Sequence, residues 1–275
     1  MASTLYAQNN TEVFVFDLNK EGQNYSLSNP VNISDNPGYD NQPYFLADGS
    51  AVLFSSTRNG QTDVLRYNLS DGSKTWLTDS EGSEYSPTVM PNGKYFSTII
   101  LEEDGTQQLW KYPFSGDKAE VLISDIVIGY HAWYNENTLY SFVLGEPPTL
   151  QRSDLNTGNH MVITENPGRS LHKIPDSGNI SYVDKSDSTK WIIKSIDPDD
   201  GTITPLAETL SESEDMAWSP SGYIFMGKGS KLYVNNIKMD NRWTEIADLG
   251  DWELSNITRL AVSPIKDKIA IVVQQ

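Results

Sequence analysis

His131 and His172 are two of only three histidines in a chain of 275 residues, and their settings match. Each stands two residues before an apolar position, Trp133 or Ile174, and four residues after that position comes a turn former, Asn137 or Gly178. A neutral imidazole beside carboxylates is a donor set for a divalent metal, and Asp40, Glu84 and Asp215 fall at comparable places in their own stretches. Carboxylates combined with backbone carbonyls would instead take a hard cation such as Ca²⁺. Paired carboxylates can also do acid and base work on a glycoside. Tyr39, Tyr85 and Tyr130, together with Asn41 and Arg259, offer polar-tipped aromatic surface and hydrogen-bonding groups, the chemistry of peptide and sugar recognition. The alternative for both histidines is packing, because the same position elsewhere holds Pro43, Pro87, Met216 and Leu260. Packing is the expectation for the rings, with a metal set of His131, His172, Asp40 and Glu84 as the competing reading. His160, in "NTGNHMV", reads as a solvated histidine of an outer loop.

A repeat positions these side chains. From Phe45, steps of 44, 44, 41, 44 and 44 residues land on Val89, Trp133, Ile174, Trp218 and Val262. Four residues beyond each lies Gly49, Gly93, Asn137, Gly178, Gly222 or Lys266. Within the unit 40–83, "QPYFL", "AVLFSS", "DVLRYNL" and "KTWLT" read as four strands, separated by "ADGS", "TRNGQT" and "SDGS". Asp-Gly and Asn-Gly accept the positive φ that tight hairpins need. Four strands in about 44 residues is the period of a propeller blade.

The two ends of the chain complete the count. The last stretch, "RLAVSPIKDKIAIVVQQ", supplies two strands, and "EVFVFDL" and "SNPVNIS" near the start match the third and fourth. Residues 256–275 with 1–38 are therefore expected to form one blade, beside blades at 39–83, 84–127, 128–168, 169–212 and 213–255. The expected fold is all-β: one six-bladed β-propeller domain of four antiparallel strands per blade, its ring closed by a blade shared between the termini. Runs such as "IAIVV" fit strands covered on both faces rather than on one. No stretch keeps a 3.6-residue apolar period, so helix content is expected to be very low.

"WSPSG" at 218–222, "MPNGK" at 90–94 and "FLADGSAVLFSSTRNGQTDVLRYNL" at 45–69 resemble the repeats of TolB-type six-bladed propellers, in which one strand ends near "SPDG" and the next ends in "SxRxG". The unit 129–168 departs furthest, with "YNENT" at the turn and "GEPPT" at the loop. The helical N-terminal domain of TolB itself has no counterpart in this sequence. The resemblance implies an extracytoplasmic, periplasmic bacterial propeller that binds proteins or peptides at the mouth of its channel. Some similar propellers that cleave acidic sugars use a His-rich metal centre, of which His131 and His172 would be a sparse version.

The chain carries 37 acidic and 20 basic residues, a formal charge of -17, which repels phosphate backbones and argues against nucleic-acid binding. It has no cysteine, which excludes disulfides, thiolate metal sites and a cysteine nucleophile. No apolar run reaches the roughly 18 residues of a membrane span. "MASTLYAQNN" has no basic n-region and no long apolar stretch, so no signal peptide is visible, although "LYAQ" is compatible with the remnant of a trimmed one. There is no G-x-S-x-G elbow, no H-E-x-x-H and no Walker loop, and "GKGS" at 227–230 reads as a hairpin turn. "DPDDG" at 197–201 reads as an acidic turn rather than a calcium loop.

The expectation is a non-enzymatic, monomeric recognition scaffold. It would bind a protein, peptide or small ligand at an acidic channel mouth formed by Tyr39, Asp40, Asn41, Glu84, Tyr85, Tyr130, His131, His172, Asp215 and Arg259, with no cofactor beyond a possible channel cation such as Ca²⁺. The alternative is a metal-assisted lyase or hydrolase acting on a carbohydrate through the His and carboxylate set.

Overall fold

The computed structural model describes residues 10–175, 177–265 and 267–274. The stretch 1–9, which carries the proposed signal remnant, and the turn residue Lys266 lie outside the described residues. Six four-stranded antiparallel sheets are arranged in a ring. Their innermost strands are Asp40–Phe45, Ser83–Val89, Ile128–Asn135, Pro167–Lys173, Met216–Trp218 and Ile257–Val262. Ile257–Val262 lies against both Met216–Trp218 and Asp40–Phe45, so the first and last units are neighbours. The fold is a six-bladed β-propeller, and its described helix is a single 3-10 turn, Leu249–Trp252.

One sheet draws on both ends of the chain, in the order Asn24–Asn32, Thr11–Glu21, Lys268–Gln274, Ile257–Val262. Thr11 pairs with Gln274 and the ladder runs unbroken to Asp17 opposite Lys268. An ion pair between Asp17 and Lys268 closes its far end. Side chains alternate between two cores. Phe16, Leu18, Ile269, Ile271 and Val273 pack with Phe225 and Leu232 of the preceding blade. Val13, Val15, Ala270 and Val272 pack with Phe45, Val52 and Phe54 of the following blade. Both faces are buried, which is why the sequence shows a continuous apolar run where a one-sided sheet would alternate.

Turn chemistry follows the residues. Gly49, Gly93, Gly178 and Gly222, four residues beyond their anchors, all have φ between 68° and 81°. The "GKGS" turn is the hairpin between Ile224–Lys228 and Lys231–Asn235, with Gly229 at φ 61°. Gly201 closes the "DPDDG" turn by donating its N–H to the Asp197 carbonyl at 2.9 Å.

The inner strands are not regular. Pairing with the second strand slips between Asn41 and Tyr44, Tyr85 and Thr88, Ile128 and Tyr130, Pro167 and Leu171, and Ile257 and Arg259. Gln42 and Ser86, 44 residues apart, both take φ near 57°, at 58° and 56°. A bulge adds a residue to one strand and re-aims every side chain upstream of it. The irregularities are tied together by hydrogen bonds: the Gln42 side-chain carbonyl accepts from Ser86 N–H at 2.8 Å and from the Ser55 hydroxyl at 3.0 Å.

Candidate functional site: a channel with a throat and a vestibule

The residue two before each anchor faces the axis. Pro43, Pro87, His131, His172, Met216 and Leu260, one per blade, all line a narrow throat of about 110 Å³. Below it, where the inner strands run into their hairpin turns, the channel widens to a vestibule of about 590 Å³ that shares both histidines and Leu260 with the throat. Its wall is largely apolar, with Met90, Pro91, Trp133, Pro175, Trp218 and Pro264 among the contributors. Tyr44 lines both spaces and is 38% exposed, a large ring held at the surface of the channel.

The anchor tryptophans are structural first. The Trp133 indole N–H donates to the Ser97 hydroxyl at 2.8 Å, and that of Trp218 donates to the Ser181 hydroxyl at 2.9 Å. In both cases the serine belongs to the second strand of the preceding blade, so each indole pins two blades together while one edge faces the vestibule. His131 joins the first of these contacts, its Nε2 lying 2.7 Å from the Ser97 hydroxyl. Its Nδ1 is buried without a partner. His172 Nε2 lies 3.0 Å from the Ser170 hydroxyl. Burial holds both imidazoles neutral, pushing His131 down to about 3 and His172 to about 4.

At the opposite end of the throat lies an ion-pair cluster. Arg169 grips Asp215 with two nitrogens, Nε at 3.1 Å and one terminal nitrogen at 2.5 Å. Arg259 reaches the same carboxylate at 3.3 Å and lays its guanidinium over the Tyr130 ring, 4.7 Å from the centroid. Glu214 accepts from the Arg169 backbone N–H at 3.1 Å and from Lys185 Nζ at 3.3 Å. Tyr39 and Tyr85 meet edge to face at 5.9 Å.

The structure thus brings Tyr130, His131, His172, Asp215 and Arg259 together around the throat, and leaves Tyr39, Asp40, Asn41, Glu84 and Tyr85 off its wall. Asp40 and Glu84 correct the expectation of mouth-facing acids, since both are fully buried between blades at 0% exposure. Asp40 accepts from the Ser56 hydroxyl and, at 3.4 Å, from Asn36. Glu84 accepts from the hydroxyls of Ser80 and, at 3.3 Å, Thr78. Burial raises both, Asp40 to about 6. Asn41 is likewise buried, its side-chain carbonyl accepting from Gln42 N–H at 2.8 Å. The bulge displaces Asn41, because strict alternation from the anchor carries the channel face to the fourth residue upstream, whereas Gln42, Ser86, Tyr130, Asp215 and Arg259, three upstream, occupy it; Asp40 and Glu84, five upstream, lie off that alternation from the start.

The same slip hid Arg169, which sequence reasoning missed although "GRSLHK" places a lone arginine just upstream of His172. The charged residues lining the throat are Arg169, Arg259 and Asp215, with Glu212, Glu214 and Lys185 in the adjoining clefts. The proposed metal set is not assembled, and among the described residues no three His, Asp or Glu side chains converge as metal ligands would. His160 lies on an outer strand, Asn159–Glu165, rather than in a loop. Its ring nitrogens are 2.8 Å from the Ser153 hydroxyl and 3.1 Å from Asp125.

No protein-family model matches the chain, and no curated protein matches it. Solved structures do. A protein assigned as a TolB from Agrobacterium tumefaciens superposes with a TM-score of 0.74 at 14% identity, covering 98% of this chain and 99% of that one. TolB from Acinetobacter baumannii gives 0.61 at 13% identity, covering 96% of this chain but 64% of the other. An oligogalacturonate lyase in complex with manganese gives 0.61 at 12% identity, covering 98% of each chain. At these identities the likeness is one of fold, and the fold is that of the TolB-like propellers.

Proposed function

For a chain with the fold of TolB-like propellers, we propose a recognition scaffold that binds a protein, peptide or small ligand in the central channel. The observation that carries this reading is the vestibule: about 590 Å³ of mostly apolar wall, drawn from the inner strands and hairpin turns around the ring. A concave apolar surface with a few polar groups at its floor is the general form of a binding pocket. Its walls are rigid, because prolines and hydrogen-bonded indoles lose little conformational freedom when a ligand arrives. A periplasmic or otherwise extracytoplasmic setting belongs to the same proposal, by analogy with the TolB neighbours. The described residues include no helix long and apolar enough to cross a membrane.

The manganese of the lyase neighbour raises the enzymatic alternative. The donors present here do not fit it. His131 Nε2 and His172 Nε2 are taken up by serine hydroxyls, and the carboxylates once grouped with them, Asp40 and Glu84, are buried between blades.

The test is a charge placed in the vestibule. Tyr44 and Ala47 line it, are exposed and lie outside the apolar cores, so Tyr44→Asp and Ala47→Asp keep the blade cores intact. Peptides selected from a display library against the native chain should lose at least ten-fold in affinity for both variants. Equal binding to native protein and variants would place the binding surface elsewhere and defeat the proposal.

A further inference from the structure

The throat is electrostatically unlike the rest of the molecule. Its charged lining is two arginines and one aspartate inside a chain of formal charge -17, and Glu214, 3.6 Å from Arg169 Nε, adds a second carboxylate to Arg169 alone, leaving Arg259 the under-matched cation. Asp215 does not balance the pair evenly. Arg169 takes both of its oxygens, whereas Arg259 reaches it only at 3.3 Å and otherwise rests on the Tyr130 ring. A guanidinium presents five N–H donors in one plane. The Arg259 side chain is 13% exposed, so bulk water reaches little of what Asp215 leaves unused. A cationic donor held in a water-poor wall attracts an anion more strongly than one on an open surface.

We propose that the throat receives a single carboxylate, held by Arg259 beside Tyr130. This rests on the channel being a recognition site and names the chemistry of what it recognises. The throat, about 110 Å³, is narrow beside the vestibule of about 590 Å³. That admits a carboxylate and the carbon atoms next to it, with the vestibule beyond open to the rest of a longer ligand. Pro43, Pro87, Leu171, Met216 and Leu260 offer apolar contact to the atoms beside the carboxylate, in a wall they share with Gln42, Ser86, Thr88, Ser170 and both histidines. Both the C-terminus of a peptide ending in small apolar residues and a short aliphatic acid have this chemistry.

Calorimetry on the full chain separates the sources and tests the assignment. The probes are an alanine pentapeptide with a free C-terminus, the same peptide as its C-terminal amide, and butyrate. The free acid should bind at least ten-fold more tightly than the amide, and butyrate should compete with it. Binding by butyrate alone would identify a small acid as the source and uphold the carboxylate site. Arg259→Gln should weaken the acid at least ten-fold. Asp215→Asn should tighten it several-fold, because it removes the internal anion that competes for both guanidiniums. A purely structural cluster would instead make Asp215→Asn as damaging as Arg259→Gln. The Asp215 variant and the acid-amide comparison keep the test decisive if Arg259→Gln fails to fold. Equal binding of acid and amide, or no binding of any probe at millimolar concentration, overturns the proposal. If the vestibule variants still abolish binding of selected peptides in that case, the carboxylate assignment falls and the recognition reading stands.

Discussion

At the scale of single residues, the buried acids are the informative ones. Asp40 and Glu84 occupy equivalent positions in adjacent blades, each wrapped by hydroxyl donors and each sealed from solvent. Burial comes first among the causes that raise Asp40 from 3.8 to about 6, and the neighbouring Glu12 adds to it. A raised folded-state value means that the fold favours the protonated form. That stability is full below the unfolded value near 3.8 and is lost as pH climbs through about 6. Asp40→Asn should therefore leave thermal stability unchanged at pH 4 and raise it at pH 8, by the order of 1 kcal/mol after allowance for residual screening. Melting curves at the two pH values check this, and an equal effect at both would refute it. The histidines run the other way. Their depressed values mean stability that is present above 6.5 and lost on acidification toward 3 to 4. The ring resonances of His131 and His172 should stay those of neutral imidazole down to pH 5 by NMR.

At the scale of elements, the inner strands carry the design. They pair irregularly because each must turn a side chain into a crowded axis where six strands converge. Close approach sets the sequence elsewhere as well. Gly227, on the strand Ile224–Lys228, lies so near the closing blade that a Cβ there would sit 2.2 Å from Ile257 Cγ2. Gly227→Ala must push Ile257 and its strand away, at a cost of roughly 1–3 kcal/mol. It should lower the urea midpoint accordingly, and Gly60→Ala provides the contrast, since nothing lies within 4 Å there and only its φ of 89° opposes a side chain. In the closing blade, Phe16 is fully buried and meets Trp252 edge to face at 5.3 Å. Phe16→Ala should cost about 3–5 kcal/mol by the same denaturation measurement.

At the scale of the whole molecule, two features act together: a ring closed by strand pairing between its ends, and a large negative charge. The closing ladder joins residues some 250 positions apart, which makes it costly to form and leaves both flanking cores dependent on it. The charge of -17 opposes compaction through self-repulsion, which ions screen beyond about 8 Å at physiological strength. Raising sodium chloride from 10 mM to 150 mM should therefore raise the melting temperature. A flat or falling dependence would show that local ion pairs such as Arg169–Asp215 outweigh the global term.

The sequence by itself determined the architecture, because its information is local and periodic. A 44-residue recurrence of anchor and turn, Asp-Gly and Asn-Gly hairpins, and apolar runs covered on both faces allow few arrangements besides a ring of four-stranded blades. It named His131 and His172 as channel candidates but read Pro43, Pro87, Met216 and Leu260, at the same repeat position, as packing; the structure puts all six around the throat. What only the tertiary structure decided was everything upstream of the bulges. One extra residue in Asp40–Phe45 took Asn41 off the channel face, and Asp40 and Glu84 were buried in the walls between blades. Arg169, Asp215 and Arg259 line the throat instead. A bulge leaves no mark on hydrophobic period, and partners 46 and 44 residues apart, as Arg169–Asp215 and Asp215–Arg259 are, meet only when neighbouring blades close around a common axis.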